Sequence, residues 1–477
     1  MKKGRAKTSA AAQQRHAPRE ATIPPIGPWA ILPWVVATFV AFGAFVALDQ
    51  FVLHIPILTS LQGHAPLSPL FAFWMPTWRP EAALFVALAI TLIALVPRLL
   101  DRRTSDPVFG SGLVAAAVSL PITLFLVRDP LSRLGSQFLI LPGEEYFDDA
   151  RGITSLASFL RHYAELAPQL SLHGRTHPPG FASLLYLVGQ LADPSPFAAG
   201  IAVLLVFAAG VFVAWRAFAA VVDRRTARIA ALLVLATPSL LDFACTSMDA
   251  VFFSAACLVL WGAFSALSNH GRWWHAVLTG VALYAASLCS FSAAPVALFV
   301  FIYGGLRWWS RRSARIPSQL ALTLGAFALA SLAFRAATGF DLWHSFEVAQ
   351  QQNDQLMGAI FGRDLGSVYL PATFGNVAAA LIGTGLAVVP LFARSAIPAL
   401  RTGAARPLVV ATCGTWAILC AGGLYTMETE RILMFAMPWM AVSAAGALTL
   451  SGSAARLVLG VAWAQALAME VLLFTLW

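Results

Sequence analysis

Apolar stretches of about 20 residues recur along the whole chain, each long enough to cross the ~30 Å hydrocarbon layer of a bilayer as a helix. Because lipid offers no partner for exposed backbone groups, such segments must satisfy their own hydrogen bonds as helices. Apolar residues make up 59% of the 477 positions and charged residues only 11%, whereas a soluble domain carries about 25% charged residues. The sequence therefore predicts an all-α, polytopic bundle of transmembrane helices.

Thirteen membrane-spanning helices are predicted. They lie near 29–53, 80–98, 107–127, 197–221, 227–243, 248–268, 273–290, 292–309, 317–338, 372–393, 407–424, 432–450 and 456–476. One further apolar helix, 178–192, is expected to lie at the outer face or dip into it. A full crossing there would move the cluster around Arg224 to the outer side, which the distribution of basic residues disfavours.

The basic residues indicate membrane topology rather than a nucleic-acid partner. The net charge is +9, but all three lysines precede residue 8 and the arginines cluster between apolar runs. Such clusters are retained on the cytoplasmic side of a membrane. Residues 1–28 are polar, basic and rich in Pro and Ala, which predicts a disordered cytoplasmic tail. The five cysteines stand singly and predict neither a disulfide framework nor a metal site.

Two long loops are expected on the outer side, 128–176 and 339–371. The first contains the run GEEYFDDARGI, with Glu144, Glu145, Asp148 and Asp149 within six positions. Carboxylates placed together in this way can act as a general base or hold a divalent cation. The alternative is a solvated acidic loop. Residues 151–170 are then expected to form an amphipathic interfacial helix.

Histidines follow in the run LSLHGRTHPPGF. His173 and His177 stand four residues apart, but Gly174 and the two prolines argue against a helix here and hence against a metal pair. A turn that points toward the acidic loop is favoured, with His177 binding a substrate. Asp249 opens a membrane helix at the outer surface, where it contributes to the site or, alternatively, caps the helix.

Arg431 begins an apolar helix at the outer boundary, next to Glu430. Its planar guanidinium suits a phosphate or carboxylate partner, although an interfacial anchor paired with Glu428 is the alternative. Arg335, near the outer end of its helix, could neutralise a phosphate. The polar, glutamine-rich middle of 339–371 is expected to be a mobile lid.

These motifs resemble the GT-C superfamily of membrane glycosyltransferases, and within it the protein O-mannosyltransferases and the aminoarabinose transferases of lipid A. The resemblance rests on the acidic pair Asp148-Asp149, the HPPG motif that begins at His177, and Asp249, and covers roughly residues 107–450. It implies a polyprenyl-phosphate sugar donor, a lipid or glycan acceptor, and inversion at the transferred carbon.

The resemblance also implies roles for individual residues. Asp148 or Asp149 would be the catalytic base, Asp249 would orient the site, and Arg431 would bind the lipid phosphate. The expected substrate-binding residues are Glu145, His173, His177, Asp249, Arg335, Glu430 and Arg431. No cofactor is assigned, although the four carboxylates could hold a divalent cation. Residues 107–477 would be the catalytic bundle, and 29–106 a transmembrane hairpin added before it.

The sequence thus predicts a hexosyl- or pentosyltransferase that moves a single sugar at the outer face of the cytoplasmic membrane. A transporter or flippase of lipid-linked sugars is the alternative. Carriers usually need ionisable groups or broken helices near the middle of the membrane, and the predicted spans carry almost no charge there. This contrast favours chemistry at the surface.

Overall fold

The computed structural model describes residues 69–140, 143–361, 365–401, 405–422, 425, 428–446 and 452–475, with scattered positions between 32 and 47. The expected tail 1–28 and most of the expected span 29–53 lie outside these residues. Most of the described chain is helical. A single pair of short antiparallel strands joins Ala72–Trp74 to Leu473–Thr475 within the described part.

The elements follow in chain order. They are β1 (Ala72–Trp74), α1 (Ala82–Leu99), α2 (Asp106–Phe125), α3 (Tyr146–Gly152), α4 (Leu156–Arg161), α5 (Tyr163–Leu166), α6 (Leu172–Thr176), α7 (Gly180–Leu191), α8 (Pro196–Ala219), α9 (Arg224–Val234), α10 (Pro238–Asp242), α11 (Asp249–Ala266), α12 (Trp273–Cys289), α13 (Ala293–Arg311), α14 (Arg315–Thr338), α15 (Leu342–Phe361), α16 (Leu365–Thr384), α17 (Val388–Arg401), α18 (Arg406–Ala421), α19 (Thr429–Ile432), α20 (Met437–Ala445), α21 (Gly452–Leu472) and β2 (Leu473–Thr475).

Six of the described helices are long and apolar enough to cross a membrane: α1, α2, α8, α11, α14 and α21. Each coincides with a predicted span, which confirms a multi-pass helical membrane protein. The expected count of thirteen is not confirmed. The expected span 227–243 is two helices, α9 and α10, separated before Pro238. The expected span 432–450 is divided between α19, a 3-10 turn and α20.

The expected span 372–393 is broken. Its two parts, Thr373–Thr384 and Val388–Leu400, meet at an angle of 104°. The chain turns at Gly385, whose φ of 111° is open to glycine but strained for other residues. Gln465 of α21 satisfies the interrupted backbone, accepting from Leu386 N at 2.8 Å and donating to Ile382 O at 2.9 Å. A buried glutamine therefore replaces hydrogen bonds that lipid could not supply.

The loops expected on the outer side gather at one end of the bundle. The start of α8 lies against the backbone of Gly135, and Gly180 of α7 packs on the Leu288 carbonyl at the end of α12. Thus α7 begins and ends at this end, and its 12 residues extend only ~18 Å at 1.5 Å per residue. At that length the helix is too short to cross a hydrocarbon layer of ~30 Å, in line with the expectation. We call this the site end, and the other, which carries Arg224 and Arg311, the arginine end.

Three local expectations were wrong. The single interfacial helix expected over 151–170 is a series of short helices, α4, α5 and a 3-10 turn, and its apolar side chains pack on Ala182 and Phe340. Residues 172–176, expected to be non-helical, form α6 because Ser171 caps its first turn. The segment 339–371, expected as an outer loop, contains α15 and the start of α16; that its glutamine-rich middle forms a mobile lid stays a prediction.

Candidate functional site

Side chains from four separate segments meet at the site end. Glu145 precedes α3, His173 lies on α6, Asp249 opens α11 and Arg431 lies on α19. Glu145 is 5% exposed and Arg431 9%, so both ionisable groups are withdrawn from water. The structure therefore brings together residues that are up to 286 positions apart in the sequence, as was expected of them.

Arg431 is the charge centre of this cluster. Its Nη1 lies 2.9 Å from Asp249 Oδ2 and donates to Ser247 Oγ at 3.2 Å, while Nη2 pairs with Glu428. Burial by itself would lower the pKa of Arg431, but Glu428 and Asp249 raise it overall. The guanidinium is a permanent cation held between two carboxylates. The expected pairing with Glu428 is present, and so is a second partner in Asp249.

Glu145 is the least satisfied acid of the cluster. Its Oε1 is buried, receives no hydrogen bond from the described residues, and lies 4.0 Å from His173 Nε2. Burial raises the pKa of Glu145 to about 8, with Arg431 opposing the rise and Glu428 adding to it. Burial also holds the pKa of His173 well below its usual range. At neutral pH this contact therefore joins two mainly uncharged groups and is no ion pair, although the distance alone would allow one.

Aromatic packing fixes the two histidines. Tyr146 stacks on His173 with ring centroids 5.5 Å apart and meets His177 edge-on at 5.9 Å. Thr176 Oγ1 lies 3.1 Å from His177 Nδ1. Tyr163 donates its hydroxyl to the carbonyls of Gly174, at 2.6 Å, and His177. Burial lowers the pKa of His177, which leaves a neutral ring beside the cluster.

The two aspartates expected as catalytic bases accept hydrogen bonds from neighbouring segments of the chain. Asp149 accepts from Ser171 through both oxygens, from the backbone N–H at 2.8 Å and from the hydroxyl at 2.6 Å. A Cβ at Gly174 would lie 2.0 Å from Asp149 Oδ2, so the glycine leaves room for this carboxylate. Asp148 accepts from Gly143 N at 3.0 Å. Both aspartates thus hold the backbone that carries Glu145 and His173.

Two expected site residues have other partners. Glu430 accepts from Phe71 N at 2.8 Å, next to strand β1, and burial raises its pKa to about 7. Adjacent residues on a helix do not share a face, which explains why Glu430 and Arg431 have different surroundings. Arg335 is 62% exposed and pairs with Asp341 at 2.8 Å, outside the cluster.

The sequence reasoning did not assign Ser171, Ser247, Tyr146 or Tyr163 to the site. Ser171 had a local signal, because it precedes a short helix and caps it. Tyr146 stands inside the acidic run itself. The other two are recognised only from contacts between distant segments. Among the described residues, no three metal-ligating side chains come close enough together to hold an ion.

Residues 176–334 match the family model described as dolichyl-phosphate-mannose-protein mannosyltransferase. The match covers 159 of 477 residues, one third of the chain, and confirms over that stretch the resemblance to membrane glycosyltransferases. It includes His177 and Asp249, stops one residue before Arg335, and leaves out Glu145 and Arg431.

Among solved structures, the crystal structure of ArnT from Cupriavidus metallidurans bound to undecaprenyl phosphate is 15% identical, with a TM-score of 0.45. The alignment covers 72% of this chain and 61% of that one, so this chain spans less than two thirds of that protein. No curated protein sequence matches the chain.

Proposed function

We propose that this protein is a membrane glycosyltransferase that moves one sugar from a polyprenyl-phosphate donor to an acceptor hydroxyl at the site end. The observation that carries the proposal is a buried carboxyl group, Glu145, whose Oε1 accepts no hydrogen bond from the described residues and whose pKa is influenced by the cationic Arg431. One group can take a proton while the other stabilises a departing phosphate. The family match over 176–334 supports this chemistry.

Glu145 is the proposed general base. A catalytic base works best when its pKa lies near the operating pH, and the pKa of Glu145 is raised to about 8. The acceptor oxygen attacks the anomeric carbon from the side opposite the phosphate, and its proton passes to the Glu145 carboxylate. The bond between the anomeric carbon and the phosphate oxygen breaks, so the sugar is transferred with inversion.

Arg431 is the proposed partner of the donor phosphate, since its planar fork suits phosphate oxygens. Glu428, which now pairs with it, has a φ of 60°. This left-handed conformation is unfavourable for residues other than glycine and is typical of functional sites. In the proposed reaction the phosphate displaces Glu428 and leaves Asp249 as the carboxylate that orients the guanidinium.

The proposed roles of the two aspartates follow from their contacts. Asp149 positions α6, and hence His173, through Ser171. Asp148 positions the turn at Gly143. They remain the alternative bases, because the general base in the resembling family is an acid of this motif. A site at the outer face of a cytoplasmic membrane, expected from the arginine distribution, is part of the same proposal.

The test uses the purified full chain with radiolabelled polyprenyl-phosphate sugars and a membrane extract as the source of acceptor. We expect labelled product from wild type and a decrease of ~10²–10⁴-fold in kcat for Glu145→Gln. Glu165→Gln, an exposed acid at the same end, is the matched control and should leave turnover unchanged. If Asp148→Asn or Asp149→Asn causes the larger loss of turnover while Glu145→Gln stays nearly active, the general base is that aspartate and not Glu145.

A flippase would show a different result. In proteoliposomes, it would carry labelled donor to the other leaflet without converting it chemically. Transport in the absence of any transfer would overturn the proposed function as a whole. Product formation that depends on Arg431 but not on Glu145 would keep the reaction and overturn only the assignment of the base.

A further inference from the structure

A cavity at the arginine end, far from the site, carries the further inference. It has a volume of about 150 Å³ and lies between the turn after α11 and the turn that joins α13 to α14. The 18 residues of α11 separate it from Asp249 by ~26 Å at 1.5 Å per residue. The cavity therefore cannot belong to the cluster around Arg431.

The lining of this cavity is cationic and rich in hydrogen-bond donors. Arg311 and Arg315 contribute guanidinium groups, and Ser268 and Ser313 contribute hydroxyls. Both arginines are oriented by Asn269: its side-chain oxygen accepts from Arg311 Nη1, and its carbonyl accepts from Arg315 Nη1 at 2.9 Å. Arg315 Nη2 is buried and has no hydrogen-bond partner among the described residues. Asn269 thus holds both guanidinium groups in place, while at least one of their N–H donors has no acceptor among the described residues.

Among the described residues, no acid pairs with these arginines. The sequence between residues 250 and 340 contains no Asp or Glu. None of the ion pairs in the described part of the chain involves Arg311 or Arg315. Elsewhere at the same end, by contrast, Arg224 and Arg228 pair with Asp106 at 2.8 and 2.9 Å. A cationic cavity without a carboxylate suits an anion from outside the chain.

The turn into α14 has an unusual backbone. Arg312 ends α13 with a φ of 52°, a left-handed conformation that residues other than glycine seldom adopt. Its guanidinium lies 4.1 Å from the ring centroid of Trp309, a cation–π contact. This turn places Arg311 and Arg315 on the same cavity.

Exposed tryptophans lie at the same end of the bundle as the cavity, at the start of α12 and the end of α13. Trp309 is 65% exposed, Trp308 40%, Trp273 67% and Trp274 38%. Tryptophans concentrate where a membrane protein crosses the lipid headgroup layer. Since a cavity needs only roughly 10–15 Å³ to hold one water molecule, this one has room for a group the size of a phosphate.

We propose that the cavity formed by 266–269 and 311–316 binds a phosphate group, with Arg311 and Arg315 as the two guanidinium donors. The tryptophans favour a phospholipid headgroup over a free phosphate as its source. The site is separate from the proposed glycosyl transfer, because it lies at the opposite end of α11.

The experiment measures binding to the full chain in nanodiscs. In one arm, nanodiscs of phosphatidylcholine with and without phosphatidylglycerol are compared by thermal unfolding and by native mass spectrometry. In the other arm, inorganic phosphate is titrated into the phosphatidylcholine nanodiscs by calorimetry. A lipid source predicts retained phosphatidylglycerol and a raised unfolding midpoint in the first arm; a free-phosphate source predicts saturable heat in the second.

Two variants test the residues. Arg311→Gln/Arg315→Gln should weaken binding about tenfold or more, because hydrogen bonds to charged groups are among the stronger ones in proteins. Ser313→Glu keeps both arginines and places a carboxylate on the cavity wall, so it should abolish binding while the fold is retained. The matched control is Arg102→Gln/Arg103→Gln, exposed arginines at the same end beside Asp101, which should bind as wild type does.

Three results would overturn the proposal. They are the absence of saturable binding in both arms, equal losses in the cavity variant and the control, and full binding by Ser313→Glu. Equal losses would mean that the general positive charge of this end, and not the cavity, attracts anions.

Discussion

Replacing Arg431 by methionine gives the sharpest test of the cluster. In the part of the chain that the structure describes, the guanidinium is the positive charge that contacts both Asp249 and Glu428. The side chains of these two acids are only 18% and 13% exposed. Methionine keeps much of the length of the side chain and removes its charge and its donors. The variant therefore leaves two largely buried carboxylates without the cation that both of them contact.

The size of the expected loss of stability follows from the burial of the ion pairs of Arg431. Removing one partner of a buried ion pair typically destabilises a protein by about 3–5 kcal/mol, because the remaining charge stays out of water. We expect Arg431→Met to lower the free energy of unfolding by about that amount. The double variant Arg431→Met/Asp249→Asn should recover about 1–3 kcal/mol of this loss, since groups in contact are non-additive by such amounts.

The assay is denaturation in mixed micelles by sodium dodecyl sulfate, followed by tryptophan fluorescence. Arg335→Met is the matched control, because Arg335 is 62% exposed and pairs with Asp341 on the surface, where an ion pair contributes about 0–1 kcal/mol. Equal effects of the two arginine variants would refute the claim that burial makes the Arg431 pairs costly to break. Strictly additive effects of Arg431→Met and Asp249→Asn would refute the contact itself.

Three further outcomes are expected. Gly174→Ala should destabilise the protein by about 2 kcal/mol or more, because its Cβ would displace the Asp149 carboxylate from hydrogen bonds worth about 1.5–3 kcal/mol each. The control is Gly152→Ala, whose Cβ meets no neighbour within 4 Å. Equal unfolding curves of the two variants would contradict the reasoning. As pH rises toward the Glu145 pKa of about 8, kcat/KM should increase about tenfold per pH unit and level off above that pKa. Glu430→Gln should leave this pH profile unchanged. A flat profile in wild type would exclude Glu145 as the base. The folded protein keeps a proton on Glu145 that the unfolded chain loses above pH 4.5, so this group contributes less stability as pH rises from about 4.5 to 8. The unfolding midpoint of Glu145→Gln, measured relative to wild type, should therefore increase between pH 5 and pH 8. A constant difference would contradict the burial of this acid.

The acidic run shows how far the candidate site could be predicted. Its position after a membrane helix singled out Glu144, Glu145, Asp148 and Asp149, since four acids together serve chemistry better than stability. Which of them is left for a substrate depends on hydrogen bonds made in the folded chain. Ser171 donates to both oxygens of Asp149, and Gly143 N donates to one oxygen of Asp148. The spacing of the four acids in the sequence predicts neither of these hydrogen bonds.

The turn that contains Glu428, Glu430 and Arg431 shows the same limit. Glu430 and Arg431 are neighbours in the sequence and were expected to act together. In the structure Glu430 binds the backbone before β1, and Arg431 binds Asp249 and Glu428. The pairing of Arg431 with Glu428 was expected as an alternative, and the structure contains it.

The sequence by itself determined that the chain is a helical membrane protein, because a run of about 20 apolar residues has one stable way to cross lipid. It determined the positions of α1, α2, α8, α11, α14 and α21 for the same reason. Only the tertiary structure decided where the helices break, since the 104° bend near Gly385 depends on Gln465 of a distant helix to satisfy its backbone. It also decided that Glu145 is the acid of the cluster around Arg431 with a buried oxygen that accepts no hydrogen bond from the described residues, because the burial and hydrogen bonding of a carboxylate depend on how distant segments pack.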